Sequence, residues 1–250
     1  MNREKIGYLL IALLGISALI TVLLLSPIKQ PLSYHHFSDE TNYFHTPNFL
    51  NVISNLPFLL TGLLGLFSWK SFPPNKSPYL LFFAGISLVS FGSGYYHLHP
   101  DNATLVWDRL PMTISFMALF SILIREFLNE KVGRRLLIPF LAIGLYSIYF
   151  WLKYDDLRIY VAVQFLPMLM IPVILLFFKS KYNLTSGYWW LLLAYTIAKF
   201  LEYFDYQIFD STHFVSGHTL KHLFAAASLY ILLCTYRKRE EVGINVANLK

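Results

Sequence analysis

The segment "SGHTLKHLFAAASLYILL" sets His218 and His222 four residues apart at the head of an apolar run. On a helix that spacing puts both imidazoles on one face. Ser93 and His97, in "SFGSGYYHLHP", have the same spacing, at the end of another apolar run. Asp108 stands in "LVWDRLPM", at the start of the next one. Three histidines from two helices are a natural ligand set for a catalytic zinc, which takes three protein ligands and leaves a fourth position for water. Zinc lowers the pKa of that water to about 7. A carboxylate beside it can accept and return the proton. A serine hydroxyl can hold the water or donate to a developing oxyanion. Asp108 and Ser93 suit those two tasks. The same five residues are compatible with two different arrangements. One is a buried hydrogen-bond network joining helices. The second is haem between axial histidines, which would leave Ser93 and Asp108 idle.

The elements that must position these side chains follow from composition. The chain has 250 residues, of which 56% are hydrophobic and 14% charged, and its mean hydropathy is +0.51. Soluble domains are about 45–50% apolar and about 25% charged, so the composition points to an all-α integral membrane protein. Eight apolar stretches, roughly 6–26, 49–69, 78–98, 105–125, 135–152, 158–178, 187–204 and 214–236, approach the length needed to cross a bilayer. The first follows "MNREK" but lacks a small-x-small cleavage site, so an uncleaved helix is expected rather than a signal peptide. Cys234 is the only cysteine, which excludes an intrachain disulfide framework and a thiolate metal cluster.

Charge placement sets the expected topology. With a cytoplasmic N-terminus, 14 of the 20 Lys and Arg fall in cytoplasmic segments, from Arg3 and Lys5 through to Arg237, Lys238, Arg239 and Lys250. Lys29, Lys153 and Arg158 fall outside, and Arg109, Lys199 and Lys221 lie in or at the ends of spans. The distribution obeys the positive-inside rule, so the net charge of +6 is a topology signal and not a nucleic-acid footprint. Both termini are then cytoplasmic. Ser93, His97, Asp108, His218 and His222 all come to lie just inside the outer surface, although the topology follows from the charges alone.

These residues resemble the alkaline ceramidase family, within the wider group of seven-helix membrane hydrolases that includes the adiponectin receptors. The resemblance rests on "GSGYYHLHPDNATLVWDRLPM" and "GHTLKHLFAA", with support from "NFLNVISNLPFLLTGLLGL". The family pattern is Ser-x-x-x-His on the second core helix, Asp on the third and His-x-x-x-His on the seventh, and all five positions match. The resemblance implies a zinc amidase that cleaves the N-acyl bond of ceramide to fatty acid and sphingoid base. His97, His218 and His222 would hold Zn2+, and Ser93 and Asp108 would complete the catalytic site. Residues 37–250 would form a seven-transmembrane-helix core, and residues 1–36 an extra N-terminal transmembrane helix with its outer loop. The substrate would be a ceramide-like membrane lipid entering from the bilayer; no protein partner is indicated.

The chain departs from the family near its calcium site. In "FSDETNYFHTPNF", Glu40, Asn42 and Tyr43 fit the acidic pattern, but Phe37 sits where the first Asp belongs and Asn48 falls about where a later Glu would be. Zn2+ follows from the resemblance, and Ca2+ stays open. The compact chain looks like the bacterial branch, where ceramide need not be the natural substrate, so the broader expectation is a zinc-dependent lipid hydrolase.

The remaining polar residues have plainer expectations. His35, His36 and His45 belong to a solvated outer loop that could cover the site. His99 and His213 belong to the surface. Lys199 and Glu202, three apart, can pair on one helix. Arg109 is expected to anchor at the headgroup level. Lys221 points to a different face from the histidines beside it. Pro57, Pro111, Pro139, Pro167 and Pro172 lie inside spans, where kinks are tolerated and can shape a cavity. Two rival functions remain: a lipid-binding receptor or sensor without turnover, and a transporter, which would need polar groups through the depth of the bundle.

Overall fold

The computed structural model describes residues 2–242; Lys250, one of the charges expected on the cytoplasmic side, lies outside the described residues. Among the described residues, ten α-helices run in chain order: α1 Arg3–Leu24, α2 Phe49–Ile53, α3 Leu56–Phe67, α4 Ser77–Leu98, α5 Asn102–Leu123, α6 Glu130–Tyr154, α7 Arg158–Phe177, α8 Ser186–Tyr203, α9 Asp205–Thr212 and α10 Gly217–Lys238. No strand occurs among the described residues. Seven segments are long and apolar enough to span a membrane: α1, α2 with α3, α4, α5, α6, α7 and α10. The fold is all-α and of the membrane class. α8, the seventh of the eight expected stretches, is less apolar and is not among these seven. It carries Lys199 and Glu202 near its end and packs chiefly on α10.

Local chemistry sets where the site-bearing helices begin. Asp101 caps α5: its carboxylate accepts from the Thr104 amide at 2.7 Å, and its own amide donates to Thr104 Oγ1 at 3.2 Å. The bonds from Thr104 hold the Asp101 carboxyl below the usual range. Ser216 caps α10 by accepting from the Thr219 amide at 3.1 Å. Each cap fixes the phase of the turns that follow, and so the direction of Asp108 and of His218 and His222.

Two prolines act differently. Pro57 has no N–H and its ring crowds the carbonyl four residues back, so the first core segment breaks into α2 and α3 around Ser54 and Asn55. Pro111 stays inside α5 and leaves the Trp107 carbonyl without its helical donor. Gly92 of α4 lies against that carbonyl: a Cβ at Gly92 would stand 1.9 Å from it. A hydrogen at position 92 therefore lets α4 and α5 cross closely beside Ser93 and Asp108.

A polar cluster closes the far end of the bundle. Glu126 is 1% exposed; it pairs with Arg239 at 2.6 Å, accepts from Tyr188 at 2.8 Å and is also bonded by Tyr79. Arg125 is buried as well, and donates to the Asn75 carbonyl at 2.7 Å. Arg125 and Arg239 are thus not free loop charges, because each finds enough fixed acceptors to offset its desolvation.

Candidate metal centre

His97 lies near the C-terminal end of α4, Asp108 near the N-terminal end of α5, and His218 and His222 in the first turns of α10. The alternating directions of these helices bring all four to one end of the bundle. His97, His218 and His222 are buried, and one ligand atom from each lies within 4.8 Å of the others. Their ring centroids are 4.8 Å, 5.1 Å and 5.0 Å apart. Both nitrogens of His97 are buried without a hydrogen-bond partner. Such orphaned polar atoms are costly in an apolar interior, and coordination of a metal would satisfy one of them. The orphaned nitrogens count against a plain hydrogen-bond network, which would leave neither of them bare.

Ser93 and Asp108, with His222, line one cavity of about 330 Å³. Its far wall is apolar, with Phe82, Ile86, Met112, Phe116 and Leu119 among the lining residues. α7 and α8 both line it yet pack on other helices rather than closely on each other. The seam between them is bridged by Gln164 donating to Tyr195 at 3.5 Å and by Lys199 over the Phe165 ring at 5.9 Å.

The surrounding supports were not evident in the sequence. Ser54 donates to the Asn51 carbonyl at 3.0 Å and lies 2.8 Å from His222 Nδ1. With its one proton committed, the Ser54 oxygen accepts from Nδ1–H, which leaves Nε2 of His222 as the free ligand nitrogen. Asn51, fully buried, accepts from Thr219 Oγ1 at 2.8 Å. Asp205 accepts from the His218 amide at 2.6 Å and from the Ser38 amide at 3.1 Å. A signal for the first group is present in the chain: Asn51, Ser54 and Asn55 form a polar stripe at helical spacing within an apolar run.

The segment between α1 and α2 roofs the site. Phe37 packs 4.7 Å from both His97 and His218. His35 bridges Tyr96 and Asn102, at 3.0 Å each, whereas His36, His45, His99 and His213 are at least partly exposed. Of the calcium-pattern residues, Glu40, Asn42 and Tyr43 are exposed, while Asn48 is buried and donates to the His97 carbonyl at 2.8 Å. Arg109 corrects an expectation. It is buried, donates to Gln30 at 2.6 Å and stacks 4.5 Å from Trp151; aromatic faces and an amide hold it inside the bundle. Lys221 pairs with Glu202 at 2.6 Å and Lys199 pairs with the same carboxylate at 2.7 Å.

Beyond this geometry, a model of the ceramidase family matches residues 32–241. The chain belongs to the ceramidase family. The match begins after α1 and takes in the roof segment from residue 32 onward, both histidine helices and α5. Comparison with curated proteins gives no match. Family membership suggests ceramide hydrolysis, and the three-histidine cluster is of a kind that can hold a metal ion.

Proposed function

We propose that the protein is a zinc-dependent membrane amidase that cleaves the N-acyl bond of ceramide or a ceramide-like lipid to fatty acid and sphingoid base. The observation that carries this is the cluster of three buried histidines, His97 with both nitrogens unpartnered, joined through His222 to the cavity that Ser93 and Asp108 line, in a ceramidase-family chain. His97, His218 and His222 would hold zinc, which supplies a polarising charge and an activated water when bound. Asp108 takes the proton of the attacking water and delivers it to the leaving amine. Ser93 donates to the oxygen on which negative charge develops. Phe37 and the roof exclude bulk water from the histidines, which strengthens each of these electrostatic contacts. The acyl chain lies along the apolar wall, and the lipid enters through the seam between α7 and α8, where few contacts must be broken. We further propose that residues 1–36 are an addition to a core of residues 37–250, and that the site faces the outer side with both termini cytoplasmic. Calcium forms no part of this proposal, because Phe37 occupies the position of a ligand with a ring that packs on imidazoles.

The test is hydrolysis of N-acyl lipids by detergent-purified protein, with free fatty acid as the readout. The amidase predicts product from the wild type, loss on chelation and loss in Asp108→Asn. Retained lipid without product would support the receptor alternative instead.

A further inference from the structure

The charged groups on the cavity wall do not balance. Arg109, Lys199 and Lys221 face two carboxylates, Asp108 and Glu202. Glu202 is engaged at both oxygens, since Lys221 takes Oε1 at 2.6 Å and Lys199 takes Oε2 at 2.7 Å. An ammonium has three donors, so Lys221 retains unused ones. Arg109 is only 6% exposed; Nη2 is engaged by Gln30, but Nη1 has no partner. Trp151 and Tyr160, 4.5 Å and 4.8 Å away, fix its guanidinium. Tyr34 lines the same cavity, with its ring 5.6 Å from the Arg109 guanidinium. A cation held in a low-dielectric bundle with unused donors is costly unless an anion joins it.

We infer that Arg109, Lys221 and the Tyr34 hydroxyl form a subsite for a carboxylate or phosphate on the amine side of the N-acyl lipid substrate. The inference rests on the amidase reading for the identity of the substrate, but binding of the anion does not require turnover. The amine side is assigned because the rest of the cavity is apolar and suits the acyl chain, which carries no charge until the amide is cut. Lys221 reads the anion as a point charge, and Arg109 fixes its orientation through a planar fork. The preferred lipid then resembles an N-acylated amino acid or phosphoamine more than neutral ceramide.

The experiment compares two lipids with the same chain, N-palmitoylglycine and N-palmitoylethanolamine, by equilibrium binding to the full protein in detergent. The subsite predicts about tenfold tighter binding of the anionic head, the scale of one charge-assisted contact. Lys221→Gln should abolish most of that preference, while Glu202 keeps Lys199 as a partner. Arg109→Lys, which keeps the charge and loses the fork, should reduce the preference partially. Equal affinity for the two heads in the wild type, or a full preference in both variants, would overturn the proposal. Palmitate against palmityl alcohol is the second arm. If the Lys221-dependent preference appears there and not with the glycine lipid, the anion is the product's carboxylate and the substrate assignment is wrong. Glycine release, followed in the same samples, separates the two ideas. A head preference without release contradicts the amidase, and release without a preference contradicts the subsite.

Discussion

At the scale of single residues, the site divides into ligands, reacting groups and supports. Ser54 is the most informative support, because its contact to His222 Nδ1 sets which nitrogen is free. Supports of this kind typically contribute about 10–100-fold to metal affinity or activity. Ser54→Ala should therefore weaken zinc retention within that range while the protein stays folded, as measured by competition with a coloured chelator. Asp108→Asn should behave in the opposite sense. It should retain zinc and lose roughly 10²–10⁴-fold in kcat, the usual contribution of a general base. The three histidines, Ser93 and Asp108 are legible because each interrupts an apolar run at helical spacing. Ser54 is equally visible in "NVISNLPF" but belongs to no familiar ligand type. Arg109 is harder to place from sequence: an arginine at a span end ordinarily anchors at the headgroups, and its acceptor here, Gln30, comes from a distant loop.

At the scale of elements, the close crossing of α4 and α5 and the docking of the roof decide the geometry. Gly92→Val should push the two helices apart at the Trp107 carbonyl. The expected result is a lower melting temperature and a greater loss of activity than any surface glycine substitution gives. The roof is tied down by Asp156, whose carboxylate accepts from the Ile28 amide at 3.3 Å and pairs with Arg158 at 2.7 Å. Burial pushes the Asp156 carboxyl up, but the bonds from Arg158 and Ile28 outweigh it and hold the group below the usual range. Its contribution is therefore complete above the ordinary carboxylate pKa of about 4 and is lost as the pH falls through the depressed value. The protection factor of the Ile28 amide against hydrogen exchange should be high at neutral pH and fall only in acid, and Asp156→Asn should lower it already at neutral pH. The spans can be found from hydropathy alone. The roof cannot, because an irregular segment has no periodicity and its path is set by tertiary partners: Phe37 on the imidazoles and Gln30 on Arg109.

At the scale of the whole molecule, the buried charged groups gather at two ends of a largely apolar bundle. One end holds the histidines beside an open cavity; the opposite end holds Glu126, closed off by Arg239 and tyrosines. That division suits a one-ended reaction chamber rather than a path through the membrane. Orientation is checked by cysteine labelling in a Cys234→Ser background. Ala103→Cys, exposed near the site, should react with a membrane-impermeant maleimide added to intact cells. Lys179→Cys, exposed at the far end, should react only after permeabilisation; the reverse pattern would invert the proposed topology. The whole of the proposed chemistry depends on three histidines holding one metal. Elemental analysis of detergent-purified wild type beside His222→Ala tests it most directly. About one zinc per chain in the wild type, lost in the variant, is the predicted result. Chelator-free wild type without metal, or a variant with undiminished zinc, would contradict it.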